Sequence, residues 1–396
     1  MINIYFAAKM YPNLYYAFKD LFGIDLPGLR LVNTFGFFVA LAFIASAWVL
    51  TLELRRKENL GQFSYTEEDI VIGKPAGFSE LLTNFLLGFI FGFKIIGAFF
   101  IDDALNDPQA FILSGRGSLP FGLLLGGISA FLKWREKNRQ KLEKPEKRVI
   151  RIWPHDRVGD FVIYAAAFGF LGAKIFHNLE NWNDFVKDPV GSLVSFSGLT
   201  FYGGLICAGI AIIWYARKHR ISVIHLCDAM APTMMFAYAA GRIGCQVSGD
   251  GDWGIVNLRP KPFSWLPDWM WAYHYPHNVV GDGQPIPGCT GPYCNQLVPP
   301  VYPTPLYEII ACFILFFVLW YFRKRMKIAG QISGLYLILN GVERFFIEKI
   351  RVNTHYEGLP FQPTQAELIS LIMVIGGVLL LVKAKDWFGK QTPALK

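Results

Sequence analysis

The feature that most constrains this chain is a series of long apolar stretches. They lie at about 31–52, 81–101, 119–134, 159–176, 198–216, 226–244, 304–322, 332–348 and 365–384. A helix needs about 20 apolar residues to cross a bilayer. Only 17% of the 396 residues are charged, whereas soluble domains carry about 25%. We therefore predict an all-α polytopic membrane protein with one transmembrane helix for each stretch, about nine in all.

The charges of the connecting loops predict the orientation of these helices. The loops after the first, third, fifth and seventh stretches are basic, and the most basic one runs from Lys133 to Arg151. Residues 102–118 and 177–197 are instead mainly acidic. Because basic loops stay in the cytoplasm, we predict an outside N-terminus and a cytoplasmic C-terminus. The net charge of +8 then reflects orientation, and we predict no nucleic-acid partner.

The predicted helices divide the chain into four parts. Residues 1–30 mix aromatic, apolar and charged residues, which favours a segment lying on the membrane surface. Residues 31–244 hold helices one to six, and residues 303–396 hold helices seven to nine and a cytoplasmic tail. Residues 245–302 are rich in Pro, Gly, Trp and Tyr. For this one long outside loop we predict a small extracytoplasmic head.

Two of the six cysteines, Cys289 and Cys294, lie close together in this head. A disulfide between them requires an extracytoplasmic position, and the sequence alone leaves the pairing open. A metal site there would need further ligands, which the neighbouring sequence does not offer. We therefore predict no metal centre.

The chain also carries an internal similarity at a spacing of 80 residues. Residues 77–141 match residues 157–221 at a glycine, a membrane lysine and a tryptophan, and each copy ends in a basic run. The matching pairs are Gly92 and Gly172, Lys94 and Lys174, Ile95 and Ile175, Leu119 and Leu199, Phe121 and Phe201, and Trp134 and Trp214. We interpret helices two and three as a duplicate of helices four and five, although apolar helix pairs can also match by chance.

Polar residues from separate helices are predicted to reach the outer boundary of the membrane. Arg242 lies near the outer end of helix six, and Arg344 and Glu348 share one stripe of helix eight with Asn340 and Arg351. Other groups at the same level are Lys174, His177, Tyr202, Gly203, Gly204, Tyr307, Glu308, Gln362 and Gln365. Guanidinium groups bind phosphate through two hydrogen bonds, and carboxylates orient them or accept protons. The layer therefore favours a phospholipid headgroup as ligand.

Each of these residues also has a simpler interpretation. Arg344 and Glu348, four residues apart, are spaced for an ion pair within one helix. Arg351 is better read as an interfacial anchor, and Tyr202 suits the aromatic belt of a membrane protein. His177 is more typical of a satisfied polar residue at a helix end than of a catalytic group. Only the convergence of polar residues from several helices at one level of the membrane favours a functional site.

The stretch from Gly241 to Gly254, with the sequence Gly-Arg-Ile-Gly-Cys-Gln-Val-Ser-Gly-Asp-Gly-Asp-Trp-Gly, combines a membrane arginine with glycines and two carboxylates. It resembles the signature of the prolipoprotein diacylglyceryl transferase family. Five further short motifs resemble those of the family and occur in the same order, at 172–177, 201–206, 302–308, 344–351 and 363–365. The resemblance covers roughly residues 158–385 and, more weakly, the first helix. Because five motifs occur in the same order as in the family, the resemblance is specific.

The resemblance implies an enzyme of the bacterial cytoplasmic membrane with a seven-helix core, to which this chain adds the duplicated pair. Such enzymes move the diacylglyceryl group of phosphatidylglycerol to the lipobox cysteine of a prolipoprotein signal peptide and release glycerol phosphate. By the same resemblance, Arg242 would hold the phosphate, and Arg344 with Glu348 would form the second essential pair. The other expected substrate-binding residues are Gly203, Gly204, Gly244, Glu308 and Gln365.

This sequence departs from the family pattern at several positions. Tyr202 replaces a histidine, Cys245 replaces an asparagine and Phe35 replaces a tyrosine of the first helix. Asp250 and Asp252 replace a single glutamate. These changes leave the general base open among Asp250, Asp252, Glu348, Tyr202 and His177. Both arginines and Glu348 are kept, which favours an active, divergent branch.

The chemistry requires a base for a thiol with a pKa of about 8.5 and cations for the leaving phosphate. It requires no cofactor and no enzyme thiol. The alternative function is a phospholipid transporter or a lipid-binding scaffold. A transporter would place ionisable groups near the midplane, and Asp228 lies instead near the inner end of its helix. The residue pattern therefore favours the transferase.

Overall fold

The structure is a computed structural model that describes residues 9–389 except 102–103, 106–107, 196–197, 199, 354–355 and 357–360. Asp102, Asp103 and Asp107, which contribute to the predicted acidic loop, and Leu199 of the internal similarity lie outside the described residues.

Within the described residues the chain is mostly helical. The helices are α1 (Leu14–Phe22), α2 (Thr34–Asn59), α3 (Phe78–Ile90), α4 (Pro108–Leu113), α5 (Leu119–Arg139), α6 (Val158–Glu180), α7 (Trp182–Lys187), α8 (Pro189–Val194), α9 (Phe201–Lys218), α10 (Val223–Ser248), α11 (Thr304–Phe322), α12 (Gln331–Glu348) and α13 (Gln365–Phe388). The strands are β1 (Thr66–Ile72), β2 (Glu146–Ile152), β3 (Gln284–Pro285) and β4 (Asn295–Gln296). Helix α3 continues as a π-helical turn, Phe91–Ile96, and a 3-10 turn, Gly97–Phe100.

Six of these helices are long and apolar enough to cross a membrane. They are Thr34–Asn59, Phe78–Phe100, Pro154–Glu180, Val223–Ser248, Thr304–Phe322 and Gln365–Phe388. The other three predicted spans are also helical, as α5, α9 and α12, but they carry more charge. Helix α12 contains Glu343, Arg344 and Glu348, and the last turns of α5 and α9 are basic. The apolar helical architecture is therefore confirmed, and the count of nine spans stays a prediction.

Helix α10 forms the centre of the helical assembly and packs on α2, α11 and α12. One apolar cluster joins Met235 and Ala239 of α10 to Cys312 and Phe316 of α11. Helix α13 packs closely on α12. A Cβ on Gly334 of α12 would lie 2.9 Å from the Gly377 carbonyl oxygen of α13. Such close approach needs small residues, as in other membrane helix pairs.

Helices α6 and α9 form a second pair, in which glycines face each other. A Cβ on Gly203 of α9 would lie 2.4 Å from Cβ of Phe176, and one on Gly172 of α6 would lie 2.5 Å from the Gly203 carbonyl oxygen. Helices α3 and α5 pack in a similar way, since a Cβ on Gly92 would lie 2.2 Å from the Phe121 carbonyl oxygen. Glycine therefore sets the spacing in both pairs.

The membrane lysines of the two pairs bind the loop that follows their own helix. Lys94 donates to the carbonyl oxygens of Ser114 and Arg116, the latter at 2.7 Å, and Lys174 donates to Ser195 Oγ at 3.1 Å. These contacts and the glycine packing support the proposal that residues 77–141 duplicate residues 157–221.

Strands β1 and β2 bracket the α3–α5 pair. They pair antiparallel, with Thr66 opposite Ile152 and Ile72 opposite Glu146. Arg157, just before α6, donates to Glu68 of β1. The two chain segments that lead into and out of the additional pair are thus held together beside the start of α6.

Residues 249–303 form a loop region over one end of α10, which continues to Ser248, four residues into the predicted head. An apolar cluster of Met10, Tyr273, Tyr275 and Val301 holds it together, and β3 pairs with β4. Cys289 and Cys294, whose pairing the sequence left open, form a disulfide with a Cα–Cα distance of 5.6 Å. We call this end of α10 the site end, and the opposite end, where α10 begins at Val223, the basic end.

Candidate active site

The glycine-rich stretch brings two carboxylates back toward Arg242. Helix α10 continues through Gly241 and Gly244 and ends at Ser248. Gly249 (φ 64°) and Gly251 (φ 99°) then adopt the left-handed backbone conformation, which glycine adopts without steric cost. The chain therefore turns sharply after the helix at these two positions. They place Asp250 and Asp252 beside the last turns of the helix.

Glu308, in the second turn of α11, lies at the centre of the site. Its side chain is fully buried. Arg242 Nε lies 2.8 Å from Oε2, and Nη1 of Arg344 and Arg351 lie 3.2 Å and 3.5 Å from Oε1. Tyr238 also donates to Oε1, at 2.8 Å. One carboxylate therefore gathers three guanidinium groups from two helices and the segment after α12.

Asp252 forms a second link between the arginines. It makes ion pairs with Arg242 and with Arg351, whose Nη2 lies 2.6 Å from Oδ1. Thr304 Oγ1 donates to the Asp252 carbonyl oxygen at 2.7 Å. Gly254 forms a backbone bridge with Arg351, and a Cβ there would lie 2.4 Å from the Ile350 carbonyl oxygen. The last glycine of the stretch therefore permits the approach that directs Arg351 into the site.

Glu348 holds Arg344 from the other side. Arg344 Nη2 lies 3.1 Å from Glu348 Oε2, so the ion pair expected within α12 is present. Glu348 Oε1 also accepts hydrogen bonds from Asn353 and from Thr364 Oγ1, the latter at 2.8 Å. Arg344 therefore spans two carboxylates that belong to different helices.

The site thus contains three arginines and three carboxylates that neutralise one another: Arg242, Arg344, Arg351, Asp252, Glu308 and Glu348. The arginine side chains remain 12–20% exposed, whereas the Glu308 and Glu348 side chains are almost fully buried. An incoming phosphate can therefore reach the guanidinium groups by replacing part of the carboxylate contacts. Two guanidinium forks on one phosphate would fix both its position and its orientation.

Asp250 and Asp252 differ in charge environment although only Gly251 separates them. Burial and the neighbouring Asp252 raise the pKa of Asp250. Burial also acts to raise the pKa of Asp252, but Arg242 and Arg351 outweigh it and lower that pKa. The Cys245 thiol hydrogen-bonds to Asp250. Asp250 is therefore the better proton acceptor of the two.

Cys245, Asp250 and Asp252 each offer one ligand atom within 4.8 Å of the others, the one such cluster among the described residues. The two arginines on Asp252 place positive charge where a cation would bind. Like charges repel strongly in a partly buried site. This arrangement disfavours a metal ion and favours an anion.

The structure does not bring every predicted residue into this network. His177 Nδ1 lies 3.3 Å from the Asn181 side chain, and its ring packs against Gly198. Gln365 is exposed at the start of α13, where the neighbouring Thr364 makes the contact with Glu348. Tyr202 lies within electrostatic range of Arg344. His177 and Gln365 therefore have no described contact with the arginines.

The predicted glycines have packing roles. Gly203 and Gly204 allow α9 to approach α6, and a Cβ on Gly244 would lie 3.1 Å from the Phe35 carbonyl oxygen of α2. Gly241, by contrast, has open space around it. The close approach at Gly244 is therefore to the backbone of α2.

The sequence predicts no functional role for two residues near these charges, Arg351 and Glu343, the second of which lies within electrostatic range of Glu308 and Arg344. The prediction that Arg351 is an interfacial anchor is wrong, because Arg351 binds Asp252 and Glu308. Glu343 was not singled out, yet it is only 7% exposed and its two carboxylate oxygens lack hydrogen-bond partners among the described residues. A glutamate within an apolar helix is itself an indication of function, and that signal identifies Glu343.

Apolar helices that meet at a buried cluster of arginines and carboxylates define a class: an integral membrane protein with a charged cluster at one end of its helices. The family model of prolipoprotein diacylglyceryl transferase matches residues 121–383. The chain therefore belongs to the prolipoprotein diacylglyceryl transferase family, and the resemblance found in the sequence is confirmed.

Relatives from three bacteria agree with this assignment, and each is named phosphatidylglycerol–prolipoprotein diacylglyceryl transferase. The relative from Aeromonas salmonicida is 28% identical over 73% of this chain and 92% of its own length. That from Leptospira interrogans serogroup Icterohaemorrhagiae serovar copenhageni is 27% identical over 70% and 92%. That from Actinobacillus pleuropneumoniae serotype 3 is 30% identical over 72% and 96%.

Proposed function

We propose that this chain transfers the diacylglyceryl group of phosphatidylglycerol to the lipobox cysteine thiol of prolipoproteins and releases glycerol phosphate. The names of its relatives contain both substrates. The observation that carries the proposal is the meeting of Arg242 and Arg344 on Glu308, within the part of the chain that matches the family. The reaction would be the first step of lipoprotein maturation.

Arg242 and Arg344 are proposed to hold the phosphate of phosphatidylglycerol. Both already bind an anionic group, the Glu308 carboxylate, with Nε and Nη atoms 2.8 Å and 3.2 Å from its oxygens. A phosphate diester offers the same kind of acceptor oxygens. As the lipid binds, these arginines would exchange carboxylate contacts for phosphate contacts and stay close to the bond that breaks.

The transfer is a displacement at the glycerol carbon that carries the phosphate. The thiolate sulfur forms a bond to this carbon, and the bond from the carbon to the phosphate oxygen breaks. Its electron pair stays on the oxygen of the departing glycerol phosphate, where negative charge develops. Guanidinium groups fixed at that oxygen stabilise the transition state more than the ground state.

Asp250 is proposed as the base that takes the thiol proton. Asp252 is held ionised by two arginines, and the Glu348 oxygens are already bound by Arg344 and Thr364. Asp250 makes no ion pair among the described residues. Its pKa is raised and is therefore closer to the pKa of the substrate thiol. Matching pKa values make general-base catalysis more effective.

The remaining predicted residues are proposed to support these groups. Glu348 orients Arg344, and Asp252 orients Arg242. Arg351 completes the network by holding Asp252. Tyr202, near Arg344, takes the position of the family histidine and is proposed to contact the substrate. The reaction as written uses no cofactor and no metal.

The proposed topology places the site end of α10 outside the bacterial inner membrane. Nine helices would cross the membrane, the N-terminus would lie outside and the C-terminus in the cytoplasm. Residues 245–302 would form the extracytoplasmic head. The basic loops at the other end of the helices support this orientation, and the disulfide between Cys289 and Cys294 suits an oxidising compartment.

The proposal is tested with the full-length protein in phosphatidylglycerol liposomes and a synthetic lipobox peptide. We expect the peptide to gain the mass of a diacylglyceryl group and glycerol phosphate to appear in equal amount. A peptide with serine in place of the lipobox cysteine is the control. Phosphatidylglycerol that binds without release of glycerol phosphate would instead support a lipid transporter or a scaffold.

A further inference from the structure

A second charged cluster lies at the basic end of the helices. The end of α2, the start of α10 and the connection from α11 to α12 enclose a cavity of about 440 Å³. Five cationic side chains line this cavity: Arg56, Lys57, Arg323, Lys324 and Lys327. Asp228 is the one carboxylate among the lining residues. The cavity therefore carries an excess of positive charge.

The acidic groups near the cavity are already engaged. Asp228 accepts hydrogen bonds from Gly330 N at 2.8 Å and from Ser333 N and Oγ at 2.9 Å and 2.7 Å. Glu53, whose side chain is fully buried, binds Arg56 at 2.6 Å and also binds Arg323. Lys57, Lys324 and Lys327 make no ion pair with a described carboxylate. Three of the five cations therefore lack a direct ion pair, although Asp228 and Glu53 attract Lys57 at longer range.

Lys57 distinguishes this cluster from an ordinary basic loop. Exposed lysines at a membrane boundary are accounted for by orientation and by long side chains reaching the surface. Lys57 is only 5% exposed, and its ammonium donates to the Gln62 side-chain oxygen at 3.1 Å. A buried charge is costly unless an opposite charge accompanies it. Asp228 and Glu53 act on Lys57 only at longer range, and an anion in the cavity would supply a direct partner.

We propose that this cavity binds a phosphate group, with buried Lys57 and exposed Lys324 and Lys327 as the main contacts. The phosphate belongs either to the headgroup of an anionic lipid in the membrane leaflet at the basic end or to a soluble phosphate compound. Ammonium groups bind phosphate as point charges from several directions. This site is separate from the arginine cluster, which lies at the opposite end of α10, and it does not depend on the proposed transferase reaction.

The test uses the delipidated full-length protein in neutral detergent. One arm measures binding of phosphatidic acid against phosphatidylcholine by native mass spectrometry, and the other measures the rise in thermal midpoint with inorganic pyrophosphate. A ligand that binds only the folded protein raises the midpoint. We expect the double variant Lys57→Gln/Lys327→Gln to weaken binding about tenfold in at least one arm, since two charged contacts are lost.

The matched control is Lys141→Gln/Lys144→Gln, which removes the same charge from exposed lysines outside the cavity. It is expected to bind like the unchanged protein. Loss in the lipid arm alone identifies a headgroup, and loss in the pyrophosphate arm identifies a soluble phosphate. Equal binding by the cavity variant and the unchanged protein, or an equal loss in the control, would overturn the proposal. If Lys57→Gln does not fold, Lys324→Gln/Lys327→Gln takes its place with the same expected direction and the same overturning outcomes.

Discussion

The two ends of α10 carry charged clusters that are built in different ways. At the site end, three arginines meet three carboxylates, and every guanidinium group has an acidic partner. At the basic end, five cations meet Glu53 and Asp228, and three lysines have no ion pair with a described carboxylate. The first cluster must rearrange to accept an anion, whereas the second already has an excess of positive charge.

Both clusters contain a fully buried glutamate between arginines. Glu308 holds Arg242, Arg344 and Arg351, and Glu53 holds Arg56 and Arg323. A buried glutamate between arginines is therefore not particular to the site end. The site end differs because its arginines converge beside Asp250, a carboxylate that has no described ion pair. Substitutions matched between the two ends test this distinction.

The largest expected effect follows from removing an arginine at the site end. Arg344→Gln is expected to lower the rate of transfer roughly 10³-fold, because a fixed donor at the developing phosphate charge is lost. Arg344→Lys is expected to restore little, since an ammonium group lacks the two-pronged geometry of guanidinium. The rate is measured as glycerol phosphate release per folded protein.

Arg323→Gln is the matched control for Arg344→Gln. It also removes an arginine from a buried glutamate, Glu53, but at the basic end. We expect it to lower thermal stability while transfer per folded protein stays close to that of the unchanged protein. Equal loss of transfer in both variants would mean that the site-end arginines act through folding alone.

The next effect concerns the proposed base. Asp250→Asn keeps the size of the side chain and removes its ability to accept the thiol proton, so we expect transfer to fall about 10²-fold. Asp252→Asn is the comparison, and its effect is expected on the affinity for phosphatidylglycerol, because Asp252 positions Arg242 and Arg351. The two constants kcat and KM are measured separately.

The pH profile provides an independent check on Asp250. A base acts only when it is deprotonated, so transfer is lost as pH falls through its pKa. Because burial and Asp252 raise that pKa, the loss should begin at higher pH than for an ordinary aspartate, whose pKa is about 3.9. This acid limb should disappear from the residual activity of Asp250→Asn. An unchanged acid limb in the pH profile of Asp250→Asn would show that another group is the base.

A third comparison pairs the two buried glutamates. Glu308→Gln and Glu53→Gln each leave buried arginines without their charge partner, which typically costs about 3–5 kcal/mol of stability. We expect both variants to unfold at lower temperature. Only Glu308→Gln should change the affinity for phosphatidylglycerol, because only Glu308 occupies the place proposed for the phosphate. Similar phosphatidylglycerol affinities in the two variants would contradict the proposal that the phosphate binds at Glu308.

Helical periodicity and loop charge explain how much of the site the sequence could predict. Arg242, Arg344 and Glu348 were assigned to one level because the direction of each helix follows from the basic loops and because residues four apart share a helix face. The direction of its own helix likewise predicts that Glu308 lies at this level. These rules act within one segment, and the structure brings the same residues together.

The features that the sequence alone does not predict depend on contacts between segments. Arg351 lies beyond the end of α12, and its direction is set by a backbone bridge to Gly254, almost a hundred residues earlier. Asp250 and Asp252 look equivalent in sequence, and only the positions of Arg242 and Arg351 separate their roles. His177 was included because of its depth, but its ring packs against Gly198. Depth along a helix can be predicted, whereas side-chain partners across segments cannot.

The smallest expected effect concerns the thiols at the two ends of α10. Cys245 lies against Asp250 at the site end, and Cys227 lies near the start of the helix at the basic end. Direct transfer from the lipid to the substrate thiol forms no bond to the enzyme, so Cys245→Ser should change the rate by less than about threefold, as should Cys227→Ser. The rate is measured by glycerol phosphate release. A covalent route through Cys245 would instead abolish transfer in Cys245→Ser alone and leave a diacylglyceryl adduct on the unchanged protein when the peptide is withheld. Intact-protein mass spectrometry therefore decides whether the site end acts only through charge and proton transfer.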